Sequence, residues 1–531
     1  MRNFELPGRS MAVARHGMAA TSHPAATLTA IETLKDGGSA IDAAVAACAV
    51  QCVVEAGSTG VGGDCFALLS PRGSTDIRAY NGSGRAPAGA SLAALRAAGL
   101  SGIPRHSPWS VTVPGAVEAW CRLVADHGTL PMSRILAPAI EMARSGYAIT
   151  PRVAVDLAAE QALLCQDASA RATFLDADGR APGMGEVQSQ PLLADTLEAI
   201  GREGARVFYE GPIAEDIVAH LRRNGGCHTR EDFAAARGEY ATPVSLAYRG
   251  RTIHECPPNG QGVIVLIILG ILSRFELAGD SLDPRNLHLL IEASRLAYAA
   301  RDALLADPAT GAASVADLLS DESLDRLAAR IDPARAGIEL PAFETRPHRD
   351  TVYIAVVDRH RNAVSFINSL FDHYGSGLMA PRSGVLLHNR GECFSSVEGH
   401  PNAMAPGKRP LHTIIPGMVS QAGRVTMTFG VMGGHYQATG QAHFLSRLFD
   451  HALDLQRAID LPRVFPLPGT TVLEAETALQ ESAGAALRGR GFSFAPPSGP
   501  IGGAQAIVID WDKGTLLGAS DHRKDGMALG Y

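Results

Sequence analysis

The chain has 531 residues, of which 46% are hydrophobic and 19% are charged, and its formal net charge is -7. This balance is typical of a large globular protein. The mild charge and the aromatic content of 5% argue against a surface that binds nucleic acid.

Targeting and redox signals are weak along the whole chain. The N-terminus has no apolar segment typical of a secretory signal, and the longest apolar run, at 262–272, is too short to cross a bilayer. We therefore expect a cytoplasmic protein without membrane contact. The eight cysteines form no C-x-x-C pair, so we expect neither a zinc site nor a disulfide framework.

The first elements in chain order are two helices, predicted at 24–35 and 39–54 and separated by Gly37 and Gly38. A glycine loop, "GSTGVGGD", follows at 57–64, and "CFALLS" then starts a strand. A dinucleotide-binding loop needs a strand before it and a helix after it. The order here is reversed, so that function is set aside.

The middle and the end of the chain differ in pattern. Helical spacing dominates from about 117 to 330, and the apolar run at 262–272 predicts a buried helix. The stretch "ETRPHRD" at 344–350 predicts an exposed linker. Strand-like runs follow, among them "GVLLHN" at 384–389 and "RVTMTFGVMGG" at 424–434. Together these patterns predict a layered α/β fold rather than a parallel βαβ sheet.

The runs on either side of "DRHRN" (358–362) predict a β-hairpin with a tight turn. If Asp358 stands opposite Asn362, the register places Thr351 opposite Ser369, within side-chain reach. This hydroxyl pair is either an activating contact or an ordinary cross-strand pair without function. A threonine hydroxyl needs a base to act as a nucleophile. An N-terminal threonine carries such a base, its α-amine, with a pKa of about 8.

Five segments in order resemble the γ-glutamyltranspeptidase family of N-terminal-nucleophile hydrolases. They begin at "GGSAIDAAVAACAVQCVVEAGSTGVGGDCFALL" and "VTVPGAVEAW", continue with the segment from Asp350 to Asn389, and end with "KRPLHTIIPGM" and "FGVMGGHY". The resemblance implies a single four-layer αββα domain. It also implies a proenzyme that cuts itself between Asp350 and Thr351. The large part would be 1–350 and the small part 351–531, and the two would stay associated, alone or in a further oligomer.

The same resemblance implies catalytic roles. Thr351 matches the nucleophile, and Ser369 matches its hydroxyl partner on the facing strand. Gly433 and Gly434 match the glycine pair whose N–H groups stabilise the oxyanion. The alternative for "MGGHY" is a tight turn without function. Neither a metal nor an organic cofactor is expected.

The substrate positions depart from the family pattern at residues 389–393. The family has Asn-Gln-x-Asp-Asp there, and its second Asp holds the substrate α-amine. Here Asn389, Arg390 and Glu392 precede Cys393, which replaces that Asp. A thiol does not supply the charge that an ammonium needs. Glu392 is an alternative partner for the amine.

Two further departures concern anion binding. His412 and Thr413 stand where the family has two serines. The family's carboxylate-binding arginine matches Ser83, while Arg85 stands two residues later. Arg85 and Arg390 are therefore candidate carboxylate ligands. The alternative for each arginine is an ordinary ion pair.

The sequence supports three functions. The first is γ-glutamyltransferase or glutathione hydrolase-like acyl transfer through Thr351. The second is an amidohydrolase or acylase of small carboxylate-bearing amides, such as glutaryl, cephalosporin side-chain or oxamate amides. The third is an uncleaved binding protein without catalysis. For the two enzymes, the partners are a small-molecule amide and a water or amine acceptor.

Overall fold

A computed structural model describes residue 5 and residues 8–311, 313–340 and 351–531. The predicted linker at 344–350, including Asp350, lies outside the described residues. None of the helices in the described ranges is long and apolar enough to cross a membrane.

The strands are numbered in chain order. They are β1 (Ala12–Ala14), β2 (Met18–Thr21), β3 (Asp64–Ser70), β4 (Arg78–Gly82), β5 (Tyr147–Ala148), β6 (Val187–Gln188), β7 (Glu239–Ala241), β8 (Val244–Tyr248), β9 (Arg251–Glu255), β10 (Val352–Val357), β11 (Ala363–Ser369), β12 (Gly417–Gln421), β13 (Arg424–Met432), β14 (Val464–Pro466), β15 (Val472–Ala475), β16 (Ser493–Ala495), β17 (Gly503–Asp510), β18 (Thr515–Ser520) and β19 (Met527–Gly530).

The helices are numbered in the same way. They are α1 (Pro24–Lys35), α2 (Ala40–Val54), α3 (Leu92–Ala97), α4 (Ala116–His127), α5 (Met132–Ser145), α6 (Pro151–Ala159), α7 (Gln161–Leu164), α8 (Ala168–Phe174), α9 (Pro191–Glu203), α10 (Ala205–Tyr209), α11 (Pro212–Arg223), α12 (Arg230–Ala234), α13 (Gly262–Leu272), α14 (Pro284–Leu304), α15 (Val315–Leu318), α16 (Asp321–Ala328), α17 (Gln437–Phe449), α18 (Leu455–Asp460) and α19 (Thr477–Gly489).

Two seven-stranded sheets form the centre of the molecule. Sheet I has the order β19-β2-β10-β11-β3-β4-β7, and sheet II has the order β1-β18-β17-β13-β12-β9-β8. All neighbouring strands within both sheets are antiparallel. This confirms the expectation of a layered fold rather than a parallel βαβ sheet; β15 and β16, which run parallel, lie in a separate three-stranded sheet.

Three apolar clusters divide the molecule into four layers. One cluster packs α1, α2, α4 and α5 on the outer face of sheet I. A second packs α13, α14 and α17 on the outer face of sheet II. The third lies between the sheets and contains Phe66, Tyr353, Ile367 and Met418. The order helix, sheet, sheet, helix is the αββα sandwich that the resemblance implied.

Local signals account for the first helices. Helix α1 has Pro24 at its first position, which suits the fixed φ of proline and its missing N–H. Helix α2 begins with a capping box between Ser39 and Asp42. Between them Gly37 has a φ of +93°, which favours glycine. The predicted bounds are confirmed to within a residue.

One predicted strand is wrong. The run "GVLLHN" at 384–389 is buried but forms no strand. It makes isolated bridges instead, from Leu386 to Met379 and from Leu387 to Gly62. A Cβ on Gly62 would lie 2.2 Å from the Leu386 carbonyl oxygen, so the segment lies directly against the glycine loop. The apolar composition of this run reflects its burial and not the hydrogen-bond ladder of a β-strand.

Candidate active site

Strands β10 and β11 form the hairpin that the sequence predicted. Val352 pairs with Asn368, and the ladder continues to Val357 and Ala363 at the turn. The next step outward places Thr351 opposite Ser369. The predicted register is therefore confirmed from Val352 to Val357, and the Thr351–Ser369 pair follows from its extension by one residue.

Thr351 and Ser369 share the face that points between the sheets. Side chains alternate along a strand, and Tyr353 and Ile367, two residues further in, both belong to the inter-sheet cluster. Thr351 and Ser369 are each about 1% exposed. The Ser369 hydroxyl oxygen accepts a hydrogen bond of 2.9 Å from the Phe371 N–H. A serine hydroxyl that accepts in this way still has its own O–H as a donor.

A buried carboxylate, Asp64, stands next to this pair. The ladder between β11 and β3 places Asp64 opposite Ser369. Its Oδ1 accepts hydrogen bonds from the N–H groups of Gly84 and Gly115, at 3.0 and 3.2 Å. Its Oδ2 lies 3.0 Å from His412 Nε2.

The charge state of this centre follows from its contacts. Burial alone would raise the pKa of Asp64, but His388, 3.4 Å away, and His412 together hold that pKa below its usual value. Burial and then the charge of Arg390 lower the pKa of His412 to about 3. His412 Nδ1 accepts a bond from the Ile414 N–H at 3.3 Å. Both ring nitrogens of His412 are thus used inside the protein, and its predicted contact with substrate stays a prediction.

Arg390 is fully buried beside this centre. Its guanidinium stacks on the Phe371 ring, with Cζ 4.2 Å from the ring centroid. Nη1 donates to Thr413 Oγ1 at 2.9 Å and lies 3.8 Å from Cys393 Sγ. Nε and Nη2 have no hydrogen-bond partner in the described part of the chain. These two nitrogens form one edge of the guanidinium, the edge that binds a carboxylate through two parallel hydrogen bonds.

Asn389, in the same 389–393 segment, is hydrogen-bonded to two carboxylates. Asn389 Nδ2 donates to Asp372 Oδ2 at 2.8 Å and also to the Glu392 carboxylate. Asn389 Oδ1 accepts a bond of 3.1 Å from the Asp372 N–H. Asn389 therefore orients two carboxylates at the end of the segment. Its predicted role in binding substrate, and that of Glu392, stay predictions.

Gly433 and Gly434 form the turn between β13 and α17. Their φ values of +124° and +54° lie in the left-handed region that favours glycine. A Cβ on Gly433 would lie 3.0 Å from the Gly502 Cα. The N-terminal end of a helix favours nearby negative charge, which suits an oxyanion at this turn. The assignment of the pair as oxyanion donors stays a prediction.

Arg85 lies in a different setting from Arg390. Its side chain is 42% exposed, and Nη1 lies 3.1 Å from the Gly407 carbonyl oxygen and 3.5 Å from Asp307 Oδ2. It lines a cavity of about 320 Å³, together with Gly84 and Gly115, whose N–H groups bind Asp64. The ion pair with Asp307 agrees with the alternative interpretation of Arg85.

Three buried side chains near the site were missed by the sequence analysis: Asp64, Gln261 and Phe371. Asp64 carried one signal, because a charged residue opens an otherwise apolar strand. No signal marked Phe371, or Gln261, whose side-chain partners Thr413 and Gly434 lie far along the chain. In the described ranges, no group of three or more His, Cys, Asp and Glu side chains could hold a metal ion.

A two-sheet αββα sandwich with a threonine at the start of a central strand is the architecture of the N-terminal-nucleophile hydrolases. A family model described as gamma-glutamyltranspeptidase matches residues 26–531. The chain therefore belongs to the γ-glutamyltranspeptidase family, and it is an enzyme of this hydrolase and transferase type.

Relatives within the family are named for different activities. The chain is 35% identical to the glutathione hydrolase-like YwrD proenzyme of Bacillus subtilis strain 168, over 97% of this chain and 98% of the relative. It is 37% identical to the oxamate amidohydrolase proenzyme of Klebsiella pneumoniae, over 98% of this chain and 99% of that protein. A crystal structure of cephalosporin acylase from Bacillus halodurans superposes with a TM-score of 0.93 at 36% identity, covering 100% of this chain and 99% of that one.

Proposed function

We propose that this protein is an amidohydrolase that removes a carboxylate-bearing acyl group from an amine, through an ester on Thr351. The observation that carries the proposal is the free edge of Arg390. A buried cation without a counter-ion costs several kcal/mol. A substrate carboxylate on Nε and Nη2 would remove that cost when it binds.

The proposed chemistry has two stages. In maturation, Thr351 Oγ1 attacks the Asp350 carbonyl carbon, and the peptide C–N bond breaks as an ester forms, so that the Thr351 nitrogen takes the hydroxyl proton and becomes a free α-amine. Water then hydrolyses the ester, which releases the Asp350 carboxylate and restores the Thr351 hydroxyl. In turnover, the α-amine takes the hydroxyl proton while Oγ1 attacks the substrate amide. The N–H groups of Gly433 and Gly434 stabilise the oxyanion. The amine of the substrate leaves with that proton. Water then hydrolyses the ester on Thr351 and releases the carboxylic acid.

The first experiment tests maturation by intact mass and N-terminal sequencing. The wild-type protein should give two fragments, with Thr351 at the start of the smaller one. Thr351→Ala should give one full-length chain without activity. Ser369→Ala is the matched control for loss of a neighbouring hydroxyl, and it should still be cut, although slowly. A Thr351→Ala chain cut at the same bond would contradict autoprocessing by Thr351. A wild-type chain that stays whole and inactive would instead support the binding-protein alternative.

The second experiment tests the substrate class with three anilides: glutaryl, γ-glutamyl and butyryl. A charge-assisted pair of hydrogen bonds is worth about 3 kcal/mol, so kcat/KM for the glutaryl anilide should exceed that for the butyryl anilide by about a hundredfold. The glutaryl anilide should also match or exceed the γ-glutamyl anilide, because Cys393 offers no charge to the ammonium. Equal values for glutaryl and butyryl anilides would contradict the proposal.

γ-Glutamyl transfer is the second candidate, and one observation favours it. Asp372 and Glu392 are two carboxylates that Asn389 holds beside the site. An ammonium could bind there instead of at residue 393. A preference for the γ-glutamyl anilide of about tenfold or more in kcat/KM, which is 1.4 kcal/mol, would support this candidate.

A further inference from the structure

One buried amide, that of Gln261, connects the glycine turn to the Arg390 site. Gln261 is fully buried and directly precedes α13. Its Nε2 donates to the Gly434 carbonyl oxygen at 3.2 Å and to the Thr413 carbonyl oxygen at 3.0 Å. Its backbone N–H donates to the His412 carbonyl oxygen at 2.9 Å. A single side chain thus holds both peptide segments.

Each of these segments carries one end of the proposed substrate site. Gly434 belongs to the turn that would bind the carbonyl oxygen under attack. Thr413 accepts the hydrogen bond that orients Arg390 Nη1, and Arg390 would bind the distal carboxylate. The two ends of the acyl group would therefore bind to parts of the protein that Gln261 ties together.

Helix α14 fixes Gln261 and the turn from behind. Arg301 Nη1 lies 3.0 Å from Gln261 Oε1 and 3.0 Å from His435 Nδ1. Tyr298 donates its hydroxyl to the His435 carbonyl oxygen at 2.5 Å. Arg301 and Tyr298 are both buried, and the guanidinium stacks on the Tyr298 ring at 4.6 Å. Buried and satisfied networks of this kind rigidify what they contact.

We propose that Gln261 is a positioning residue that sets the distance between the glycine turn and Arg390, and so selects the length of the acyl chain. This inference rests on the proposed function, since it needs a carboxylate on Arg390 and an oxyanion at Gly433 and Gly434. A fixed spacing admits one chain length well. An acyl group that is one methylene shorter or longer misses either the turn or the guanidinium edge.

The test is a chain-length series of anilides, malonyl, succinyl, glutaryl and adipyl, on Gln261→Glu. The new carboxylate keeps the contact with Arg301 but turns an oxygen toward the carbonyls of Gly434 and Thr413, so both donor bonds are lost. One methylene is worth about 10- to 200-fold in a shaped pocket, so the wild type should prefer one length by at least about tenfold over its neighbours. In Gln261→Glu that preference should shrink to within about threefold.

Gln190→Glu is the matched control. Gln190 is also buried, and its Nε2 also donates two hydrogen bonds, to the Val53 carbonyl oxygen at 2.8 Å and the Tyr147 hydroxyl at 3.2 Å. It lies in the helical layer outside sheet I. The same chemical change there should leave the chain-length profile unchanged, even if stability falls. If Gln261→Glu does not fold, Gln261→Asn, whose shorter amide cannot reach both carbonyls, replaces it.

The ratio of kcat/KM between two anilides does not depend on how much enzyme is folded, which separates positioning from general damage. A Gln261 variant that loses activity but keeps the wild-type profile would overturn the inference and leave the proposed function standing. A wild type that hydrolyses butyryl and glutaryl anilides equally well would overturn both.

Discussion

Two buried arginines, Arg463 and Arg390, show how a structural cation differs from the proposed binding cation in this molecule. Arg463, at the start of β14, donates to the Ile501 carbonyl oxygen at 2.8 Å and pairs with the buried Asp521. Within the described residues, the Arg390 guanidinium makes its polar contacts with Thr413 and the Cys393 sulfur, and its Nε and Nη2 have no hydrogen-bond partner. Both stack on an aromatic ring, Tyr436 and Phe371 respectively. Burial and a neighbouring aromatic ring are therefore common to both, and the missing carboxylate distinguishes Arg390, the proposed carboxylate ligand.

The largest effect that tests this comparison is expected at Arg463. Arg463→Met leaves the buried Asp521 with Arg523, 3.2 Å away, and the half-exposed His522, 4.0 Å away, as its cationic neighbours. Loss of one partner of a buried ion pair typically costs about 3 kcal/mol of the free energy of unfolding. Chemical denaturation of the uncut Thr351→Ala chain, with and without the change, measures this cost. An unchanged stability would mean that Arg463 is not the main partner of Asp521.

Arg390→Met should have the opposite profile. Because no charge partner is lost, the free energy of unfolding should stay the same or rise, whereas kcat/KM for the glutaryl anilide should fall by about a hundredfold. Hydrolysis of the butyryl anilide should change little, which makes it the internal control. Arg85→Met is the matched variant, and it should keep the activity on the glutaryl anilide. A similar loss on both anilides in Arg390→Met would break the distinction between the two arginines.

A smaller effect concerns pH and two buried histidines, His412 beside Arg390 and His228. Burial, with Arg390 next, lowers the pKa of His412 to about 3, and burial lowers that of His228 to about 4. In the unfolded chain these groups titrate near 6.5, so below that pH the unfolded state binds protons that the folded state does not. Each histidine should therefore remove about 2 kcal/mol of stability between about pH 7 and pH 5.

His412→Asn and His228→Asn should each reduce this acid destabilisation by the same amount. Denaturation of the uncut chain at both pH values measures it. If His412→Asn kept the full pH dependence of the parent chain, His412 would be protonated in the folded state through its contact with Asp64. In that case the site would hold one more positive charge than described.

The smallest expected change is a shift of preference at Cys393. Cys393→Asp places a carboxylate near Arg390 Nη1 and gives a substrate ammonium a partner. The ratio of kcat/KM for γ-glutamyl over glutaryl anilide should rise by about tenfold, which is 1.4 kcal/mol. Cys393→Ser is the control, because it changes the atom without adding charge, and it should leave the ratio in place. An equal rise in both variants would show that the thiol itself excludes the ammonium.

Local signals in the sequence carried the layered arrangement and the first helices, and the family resemblance supplied the αββα form. The register of Thr351 and Ser369 followed from one turn and strict alternation, and α1 followed from Pro24 and Gly37. The resemblance added the positions of the glycine pair and of Arg390. The free edge of Arg390 could not be predicted, since it depends on which side chains the fold brings near the guanidinium. Gln261 and Asp64 were missed for the same reason: Gly434 lies 173 positions from Gln261, and His412 lies 348 positions from Asp64.

The strand order of the two sheets has a consequence for when the molecule can fold. In sheet I, β10 and β11 lie between β2 and β3, and in sheet II β1 lies beside β18 while β9 lies beside β12. Both sheets thus contain strands from the segments before and after Thr351. A chain cut at that point would stay folded. After unfolding, however, it would be two separate chains, and refolding would need a bimolecular association in dilute solution. Folding would then happen once, before the cut. The lifetime of the mature molecule would be set by its rate of unfolding.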